Sequence, residues 1–443
     1  MLSVAFRHIT QQTKFRTFHC ILRQFLHTMK LSSNQMDSVL SPGVKQLSSL
    51  FLKHGFEVRI AGGAVRDLLM GKTPHDLDFA TTATPEEMKK MFEEEGVRMV
   101  NTGGEKHGTV TARLEEENFE CTTLRIDVET DGRHAEVEFT KDWQLDANRR
   151  DLTINAMFLG LDGTVYDYFE GSKHLEGKIV TFVGDADKRI QEDYLRILRY
   201  FRFYGRIADS PDNHNVEVLE SIKRNVEGLK RIAGERIWVE VQKIVNGKFG
   251  GELLVKMVEC GVGPYIGFPE TFDCDNLRRV YKRCEEANIP TSDIHHMTLL
   301  AAGFASEEEF VTFVARIKCS RRERETMLFI MEQRDMAMKA DSFKEIQDLV
   351  VDLVIGERRN KDIALSYVRE LLKYACKMDF LSQLNTWEIP KFPVNGNMIS
   401  DKGVPRKKIK NAMSDLIYEW KKSDFTLSGD ELLNLLDVSC YSS

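Results

Sequence analysis

The chain of 443 residues is long enough for several domains and a large apolar core. Its apolar content of 42% and charged content of 30% are typical of globular proteins and exclude a low-complexity or collagen-like chain. The formal net charge of −7 argues against general electrostatic binding of nucleic acid, so any such binding needs local basic patches. No apolar run is long enough to span a bilayer, and we expect no membrane partner.

The first 36 residues differ in composition from the rest of the chain. They contain no acidic residue, and basic side chains are interleaved with aromatic and aliphatic ones. This pattern is typical of a mitochondrial transit peptide, although a disordered basic tail would have the same charge. Met29 and Met36 are candidate internal start sites that would shorten or bypass the segment. We therefore expect a mitochondrial protein with a second, cytosolic or nuclear form.

The cysteine and histidine patterns do not predict a zinc site or a disulfide framework. The eight cysteines form no C-x-x-C pair and no metal-ligand spacing, which indicates a reducing compartment with scattered core or surface thiols. The run from Asp293 to His296 has candidate metal ligands, but no further histidine or aspartate cluster supports it. We expect these residues to form a pair on a helix surface.

Two glycines separate a predicted strand from a predicted helix. The strand ends at Ile60, and the helix runs from Ala64 to Met70. Because neither has a Cβ, Gly62 and Gly63 let the backbone turn tightly and approach a ligand closely. The helix start would direct free N–H groups toward a bound phosphate. An ordinary strand-to-helix turn has the same residues, so the motif indicates a phosphate site only in combination with others.

Two aspartates follow this turn on the next predicted strand, Asp76–Ala80. At spacing i, i+2, Asp76 and Asp78 would project from one face of the strand. Paired carboxylates beside a phosphate site are what divalent-metal nucleotidyl transfer requires. An isolated D-x-D motif is more often two solvated acids. The prediction of a metal site therefore depends largely on the neighbouring glycine turn.

The region from about residue 40 to 165 mixes predicted strands and helices, and the chain after about 180 is predominantly helical. Thr109–Leu114 and Phe119–Val128 are predicted to form a hairpin. Glu120 on its second strand is the candidate for a third carboxylate, or else a solvent-facing strand acid. The pattern predicts an α+β fold, with a mixed β-sheet and helices first and an all-α part after it.

A second motif runs from Arg149 to Ala156. On a helix, Asp151 and Asn155 would share a face at i, i+4. A carboxylate and an amide together can hold a ribose hydroxyl, and Arg150 can bind a phosphate with two hydrogen bonds. A capped helix with a surface Arg–Asp pair has the same residues, and the motif alone does not distinguish the two.

A third motif places arginines among large apolar residues. Asp193 and Arg196 would be helix neighbours at i, i+3, with Arg199 and Arg202 on the following turns. Alone, such a pair would be a solvated salt bridge, but the apolar neighbours favour a charged stripe on a packed helix. An Asp acceptor beside an Arg donor matches the exocyclic amine and ring nitrogen of cytosine and adenine, and leaves both groups unpaired against uracil or guanine.

The order G-G-x-V-R-D, D-x-D, R-R-D-x-x-x-N-A and E-D-x-x-R resembles the motifs of the tRNA nucleotidyltransferase (CCA-adding) and bacterial poly(A) polymerase family of the polymerase β superfamily. The resemblance implies a polymerase β-like nucleotidyltransferase head followed by an all-α neck, body and tail. The expected parts are a transit peptide (1–36), the head (37–170), the neck with the selecting motif (171–240), a tRNA-binding body (241–385) and a basic tail (386–443).

The resemblance also implies the activity, which is template-independent addition of C, C and A to the 3′ end of tRNA, using CTP and ATP and releasing pyrophosphate. It assigns Mg²⁺ as the cofactor and predicts the site residues. Two aspartates bind two Mg²⁺ ions and a glutamate assists them: Asp76, Asp78 and Glu120. The triphosphate and ribose contacts are Gly62, Gly63, Arg66, Arg150 and Asp151. The base is read by Asp193 and Arg196, with Arg199 and Arg202 in support.

Two alternatives share these motifs. A poly(A) polymerase of the same family would use ATP alone, and a non-catalytic RNA-binding protein could retain the scaffold. The intact aspartate pair argues against the second alternative. The implied partners are CTP, ATP and the acceptor and TΨC arms of tRNA. The basic segments 321–324 and 402–410 are either solvated helix faces, which is the default, or contacts with these arms. We expect a monomer or a homodimer.

Overall fold

A mixed, eight-stranded sheet organises the first of two structural units, which divide between Ile266 and Gly267. The computed structural model describes residues 27–100, 108–130 and 135–441. All described strands lie in the first unit, and the described part of the second unit is helical. The predicted α+β class is therefore confirmed, with strands confined to the N-terminal part of the chain.

The sheet has the strand order β1-β10-β9-β2-β3-β6-β5-β4, and only the β3–β6 pair is parallel. Strands β7 and β8 form a separate two-stranded sheet. The strands are β1 His27–Lys30, β2 Val58–Ala61, β3 Asp78–Thr81, β4 Arg98–Val100, β5 Thr109–Leu114, β6 Glu117–Thr123, β7 Arg125–Thr130, β8 Ala135–Phe139, β9 Met157–Gly160 and β10 Thr164–Asp167.

The helices of the first unit cover the sheet and then continue the chain. They are α1 Ser33–Asp37, α2 Pro42–Lys53, α3 Gly63–Leu69, α4 Pro85–Glu94, α5 Trp143–Asn148, α6 Gly171–Glu176, α7 Ala186–Glu192, α8 Arg196–Ile207, α9 Val216–Asn225, α10 Gly234–Val245, α11 Gly250–Glu259 and α12 Gly263–Ile266. Alternate residues of β3 enter two different cores, since Phe79 packs with α2 and α4, whereas Ala80 packs with α5.

The predicted leader overlaps the folded sheet at its C-terminal end. Residues 1–26 lie outside the described part of the chain, but His27–Lys30 pairs with Thr164–Asp167 as an edge strand. Leu31 and Met36 are buried in the sheet's core. Residues 27–36, which composition alone assigns to a leader, therefore contribute to the head. A leader that ends before His27 would leave the sheet complete.

Two strand predictions need correction. Strand β3 begins at Asp78 rather than Asp76, because its ladder with β6 starts at the pair Asp78–Glu120. Strand alternation therefore does not align the two aspartates as we expected. The predicted hairpin is present, but β6 starts at Glu117 and ends at Thr123, and the chain then enters the separate β7–β8 sheet.

Two helix predictions were also wrong. Asp151 and Asn155 do not lie on an α-helix, because Leu152 is extended and only Thr153–Asn155 forms a 3₁₀ turn. Asp193 and Arg196 do not share a helix either. Helix α7 ends at Glu192, Asp193 has an extended backbone with φ −151° and ψ 105°, and α8 starts at Arg196. The apolar period continues across this break, which is why the sequence predicts one helix.

The second unit is built of helices around its own cores. They are α13 Cys274–Glu286, α14 His296–Leu300, α15 Glu307–Ile317, α16 Arg321–Lys339, α17 Phe343–Val351, α18 Lys361–Tyr374, α19 Met378–Thr386, α20 Gly396–Asp401, α21 Ile409–Lys422 and α22 Gly429–Asn434. Trp420 and its neighbours in α20–α22 form a distinct apolar cluster. Across the described ranges, no helix combines the length and apolarity needed to cross a membrane.

Candidate active site

A cleft of about 1370 Å³ opens in the first unit beside the end of β2 and the start of β3. Eleven of the twelve predicted site residues line it, drawn from segments far apart in sequence. These residues are Gly62, Gly63, Arg66, Asp76, Asp78, Arg150, Asp151, Asp193, Arg196, Arg199 and Arg202. Glu120 does not line the cleft, although Thr122, two residues along the same strand, does. The structure thus brings the three motifs to one surface.

Position 62 requires a glycine for two reasons, its backbone conformation and a closely packed arginine. Gly62 has φ +64° and ψ −118°, a conformation that residues with a Cβ rarely adopt. A Cβ at this position would lie 2.9 Å from Nη1 of Arg150. The absent side chain therefore lets Arg150 pack against the turn, where its Nη1 also donates to the carbonyl oxygen of Asn155 over 3.3 Å.

The carboxylates differ in their surroundings. Burial raises the pKa of Asp78, and the negative charge of Asp76 adds to this, although Arg150 opposes it. The side chain of Asp76 is 84% exposed and lies 2.9 Å from His75 Nδ1. Glu120 is exposed and sits directly beside Asp78 in the parallel β3–β6 register. The described residues contain no group of three or more His, Cys, Asp or Glu side chains arranged to hold a metal.

A chain of hydrogen bonds connects the first motif to the third through Asn155. Arg66 Nη1 donates to Asn155 Oδ1 over 2.5 Å, and Asn155 Nδ2 donates to Asp151 Oδ1 over 3.4 Å. Asp151 Oδ2 then accepts from Arg199 Nε over 2.6 Å. Asn155 and Asp151 thus meet without the predicted helix. This network ties the helix after the glycine turn to α8 by way of the second motif.

A second connection joins the same two helices. Asp67 is buried, with Oδ1 accepting from Arg66 Nε over 3.0 Å and Oδ2 accepting from Arg206 Nη2 over 2.7 Å. The guanidinium groups of three arginines surround the buried ring of Phe203 at 4.3–5.5 Å from its centroid. They belong to Arg66, Arg199 and Arg202. These contacts fix the arginines at the base of the cleft.

Two buried acids also hold arginines of the cleft in place. Asp146, 1% exposed, accepts from Arg149 Nε over 2.8 Å and from Arg150 Nη2 over 3.2 Å. Glu240, also buried, accepts from Arg202 Nη1 over 3.0 Å, while its Oε2 has no hydrogen-bond partner. The acids offset part of the positive charge of these arginines, all three of which line the cleft.

Asp193 and Arg196, the predicted base-reading pair, are held by other residues of the first unit. Asp193 accepts from Arg236 Nη2 over 2.8 Å and from the backbone N–H of Leu195 over 3.1 Å. Arg196 Nη1 donates to Glu192 Oε2 over 2.5 Å, and its Nη2 donates to the carbonyl oxygen of Arg149 over 2.9 Å. The helix break at Asp193 therefore separates the pair along the chain but keeps both side chains in the cleft.

Several residues that hold the cleft in place were not predicted from the sequence. Asp67 lies within a quoted motif, and Arg206 extends the arginine spacing of α8 by another turn, so these two had a detectable signal. Asp146 and Glu240 had none, because a buried acid that fixes a cluster of arginines looks in sequence like any helix acid. The functions of all these residues depend on partners that only the fold supplies.

Acid is expected to destabilise the first unit through its buried aspartates. Burial by itself raises the pKa values of Asp146 and Asp151, but their arginine partners hold both below the ordinary value. Groups with lowered pKa contribute stability above their unfolded-state pKa of about 4, and this is lost as pH falls through the folded-state pKa. We expect Asp146→Asn to cost about 3 kcal/mol at pH 7 and to flatten the acid limb of the stability curve.

Urea unfolding followed by tryptophan fluorescence between pH 3 and 7 measures this effect. Asp209→Asn, at an exposed position after α8, is the matched control and should leave both the stability and its pH dependence unchanged. An Asp146→Asn protein with the wild-type stability at pH 7 would show that the buried acid does not organise the arginines.

The chain is similar to known proteins over most of its length. Residues 58–181 match the family described as "Poly A polymerase head domain", and residues 216–274 match "Probable RNA and SrmB- binding site of polymerase A". The chain is 50% identical over 422 residues to CCA tRNA nucleotidyltransferase 1, mitochondrial, of Mus musculus, covering 94% of this chain and 95% of that protein. The Homo sapiens protein of the same name is 49% identical with the same coverage.

Solved structures agree with the fold. A CCA-adding enzyme in its apo form II superposes with a TM-score of 0.68 at 20% identity, covering 93% of this chain and 98% of that one. The Thermotoga maritima CCA-adding enzyme complexed with tRNA superposes with a TM-score of 0.65 at 19% identity, covering 94% and 99%. The sequence identity extends over nearly the full length of these relatives and establishes the family. The chain belongs to the CCA tRNA nucleotidyltransferase family.

Proposed function

We propose that this chain adds the nucleotides C, C and A to the 3′ end of tRNA, using CTP and ATP and releasing pyrophosphate. The observation that carries the proposal is the 50% identity, over nearly the whole length of both chains, to enzymes named for this reaction. The cleft supports it, because a glycine turn, a pair of aspartates and a cluster of fixed arginines line one surface. These are the groups that nucleotide binding and transfer require.

The aspartates fit a divalent cation, which we propose to be Mg²⁺. Asp76 and Asp78 supply hard carboxylate oxygens, the donors that Mg²⁺ takes, and their clustered negative charge favours a cation. Glu120 is the proposed third carboxylate, since its register places it next to Asp78. The chemistry that such an ion supplies is activation of the primer hydroxyl and neutralisation of the triphosphate.

The chain's own residues position the nucleotide. Gly62 leaves room for Arg150 and Gly63 lies beside Arg66, and we assign the triphosphate to this turn together with Arg66. Asp151 and Arg150 are proposed to hold the ribose. The guanidinium groups are already fixed by Asp146 and Asn155, so binding would not require ordering flexible arginines.

The base is proposed to pair with Asp193 and Arg196. The Asp carboxylate would accept from the exocyclic amine of cytosine or adenine, and the Arg would donate to the adjacent ring nitrogen. Arg236 anchors Asp193, and Glu192 anchors Arg196, so each group has a defined orientation before the nucleotide binds. Arg199 and Arg202 lie against Phe203 and support the floor of this site.

Primer extension tests the proposed function. A tRNA lacking its 3′ CCA is incubated with Mg²⁺ and each nucleoside triphosphate singly, then with CTP and ATP together. The expected product is three nucleotides longer and requires both. A long ladder with ATP alone would identify a poly(A) polymerase instead. Absence of extension with every RNA and every divalent cation would favour a binding role.

The exposed basic side chains of the second unit are the proposed contacts with the tRNA arms. Arg406 and Lys407 lie together in a 3₁₀ turn before α21. We expect replacement of both by glutamate to raise the KM for tRNA and to reduce the salt dependence of binding, with kcat nearly unchanged. Filter binding at several salt concentrations measures this, and an unchanged salt slope would exclude the turn from the interface.

We further propose that the N-terminal segment directs the chain to mitochondria and that an internal start yields a cytosolic or nuclear form. Two relatives named as mitochondrial enzymes support the first part. A start at Met29 would remove part of edge strand β1, and a start at Met36 would remove all of it. Imaging residues 1–36 fused to a reporter tests the targeting; a diffuse signal would refute it.

A further inference from the structure

Two cysteines that are far apart in sequence meet in the second unit. Cys284 lies in the last turn of α13 and is fully buried, on the same helix face as Leu277 and Val280. Cys376 follows the end of α18 and is half-buried, with a backbone φ of +54°. The electrostatic interaction of the two thiols includes a side-chain hydrogen bond between them, and both are free thiols. The two chain segments also meet directly, since the residue before Cys284, Arg283, contacts Tyr374.

A cation adjoins this pair and makes its two members unequal. The guanidinium group of Arg283 donates to the carbonyl oxygen of Tyr374 over 3.3 Å and lies 5.6 Å from the Tyr374 ring, which holds it beside Cys376. The hydrogen bond from Cys284 and the charge of Arg283 lower the pKa of Cys376 to about 7, although burial opposes this. The hydrogen bond to Cys376 and burial raise the pKa of Cys284. Cys376 is thus the better nucleophile at neutral pH.

We propose that Cys284 and Cys376 are an oxidation site, at which a hydroperoxide converts the two thiols into an intramolecular disulfide. The Cys376 thiolate attacks one oxygen of hydrogen peroxide and the O–O bond breaks. The departing hydroxide takes up a proton to become water, leaving a sulfenic acid on Cys376. Cys284 then attacks the Cys376 sulfur, the S–O bond breaks, and the departing hydroxide takes the Cys284 proton as a second water. One peroxide is reduced and two thiols are oxidised.

The position of the pair suits a bridge within one chain. Because the two thiols interact through a hydrogen bond, their sulfur atoms need only a short approach to reach a disulfide bond length. The bond would link the C-terminal end of α13 to the end of α18, two elements already joined through Arg283 and Tyr374. A cross-link between distant segments removes conformational freedom from the unfolded chain and stabilises the folded unit. In a reducing compartment such a bond would be transient.

The experiment uses the full chain and hydrogen peroxide at pH 7, with free thiols then blocked by N-ethylmaleimide and peptides identified by mass spectrometry without reduction. We expect a cross-linked peptide pair containing Cys284 and Cys376, the loss of two thiols per molecule, and recovery with dithiothreitol. The thermal unfolding midpoint of the oxidised protein should rise by about 5 °C or more. Alkylation of Cys376 by iodoacetamide should accelerate with pH, with a midpoint near 7.

Variants separate the two thiols. In Cys284→Ser, we expect dimedone to trap a sulfenic acid on Cys376 and no bridge to form; in Cys376→Ser, Cys284 should stay reduced. Cys319→Ser is the matched control, because burial raises the pKa of that half-buried thiol to about 11, and it should leave bridging intact. The proposal is overturned if wild-type Cys376 links two chains on a non-reducing gel, or if both thiols remain reduced while others oxidise. If Cys284→Ser fails to fold, the wild-type peptide map and Cys376→Ser decide.

Discussion

Replacing Asp78 with alanine is expected to abolish transfer of both CMP and AMP, lowering kcat by at least about 10³-fold. Asp78 is the exposed first residue of β3 and lines the cleft, and its carboxylate is the proposed centre of the cation site. The fold should survive, because replacement of an exposed side chain at the start of a strand leaves the core intact. Single-turnover transfer onto a tRNA lacking CCA measures the loss, and tRNA affinity should stay close to wild type.

Two further variants establish that the loss comes from the charge. Asp78→Asn keeps the shape of the side chain and should be nearly as inactive as Asp78→Ala, since an amide is a poor ligand for a hard cation compared with a carboxylate. Glu120→Gln removes the charge of the neighbouring strand residue and should cost less, because Glu120 does not line the cleft. Substantial transfer by Asp78→Asn would remove Asp78 from the cation site.

The second large effect is expected for nucleotide selection. Asp193→Ala should reduce the ratio of kcat/KM for CTP over UTP by about 10²-fold or more. Uracil would leave the Asp193 carboxylate without a hydrogen-bond donor, and the variant no longer has that carboxylate. The same change should lower kcat/KM for ATP over GTP. Competition between labelled nucleotides on one tRNA primer measures both ratios directly. Unchanged ratios would remove Asp193 from the template.

A matched variant distinguishes base reading from structural support. Asp193 is anchored by Arg236, so Asp193→Ala also releases that arginine and the N–H of Leu195. Arg236→Lys disturbs the same anchor but keeps the Asp193 carboxylate. We expect it to lower kcat/KM for all four nucleotides by similar factors and to leave the selectivity ratios intact. Equal loss of selectivity in both variants would assign the effect to positioning alone.

Sequence patterns predicted which residues line the cleft better than they predicted the local geometry that brings them together. Eleven predicted residues do line one cleft, but three of the reasons given for their proximity were wrong. Asp76 precedes the strand that was to align it with Asp78, and Asp151 and Asn155 meet across a 3₁₀ turn instead of along a helix. The third reason failed because a helix break separates Asp193 from Arg196. The motif order carried the prediction, because it identifies a family whose fold assembles these segments.

The cysteines are another case in which sequence spacing does not indicate a tertiary contact. Spacing in the sequence predicted scattered thiols without a disulfide framework, and every described cysteine is a free thiol. The spacing could not indicate that Cys284 and Cys376 interact, because their proximity depends on how α13 and α18 pack. Contacts between residues distant in sequence are set by tertiary packing, and no local periodicity records them.

The sequence by itself determined the α+β class, the helical second half, the glycine turn and the residues that carry the proposed chemistry. These follow from local properties: backbone freedom at glycine, apolar periodicity and the order of short motifs. Only the tertiary structure decided that Asn155 links Arg66 to Asp151, that Asp67 holds Arg206, and that buried Asp146 and Glu240 fix the arginines of the cleft. A buried charge needs a partner, and which partner it finds depends on chain segments that meet only when the sheet and helix α8 pack together.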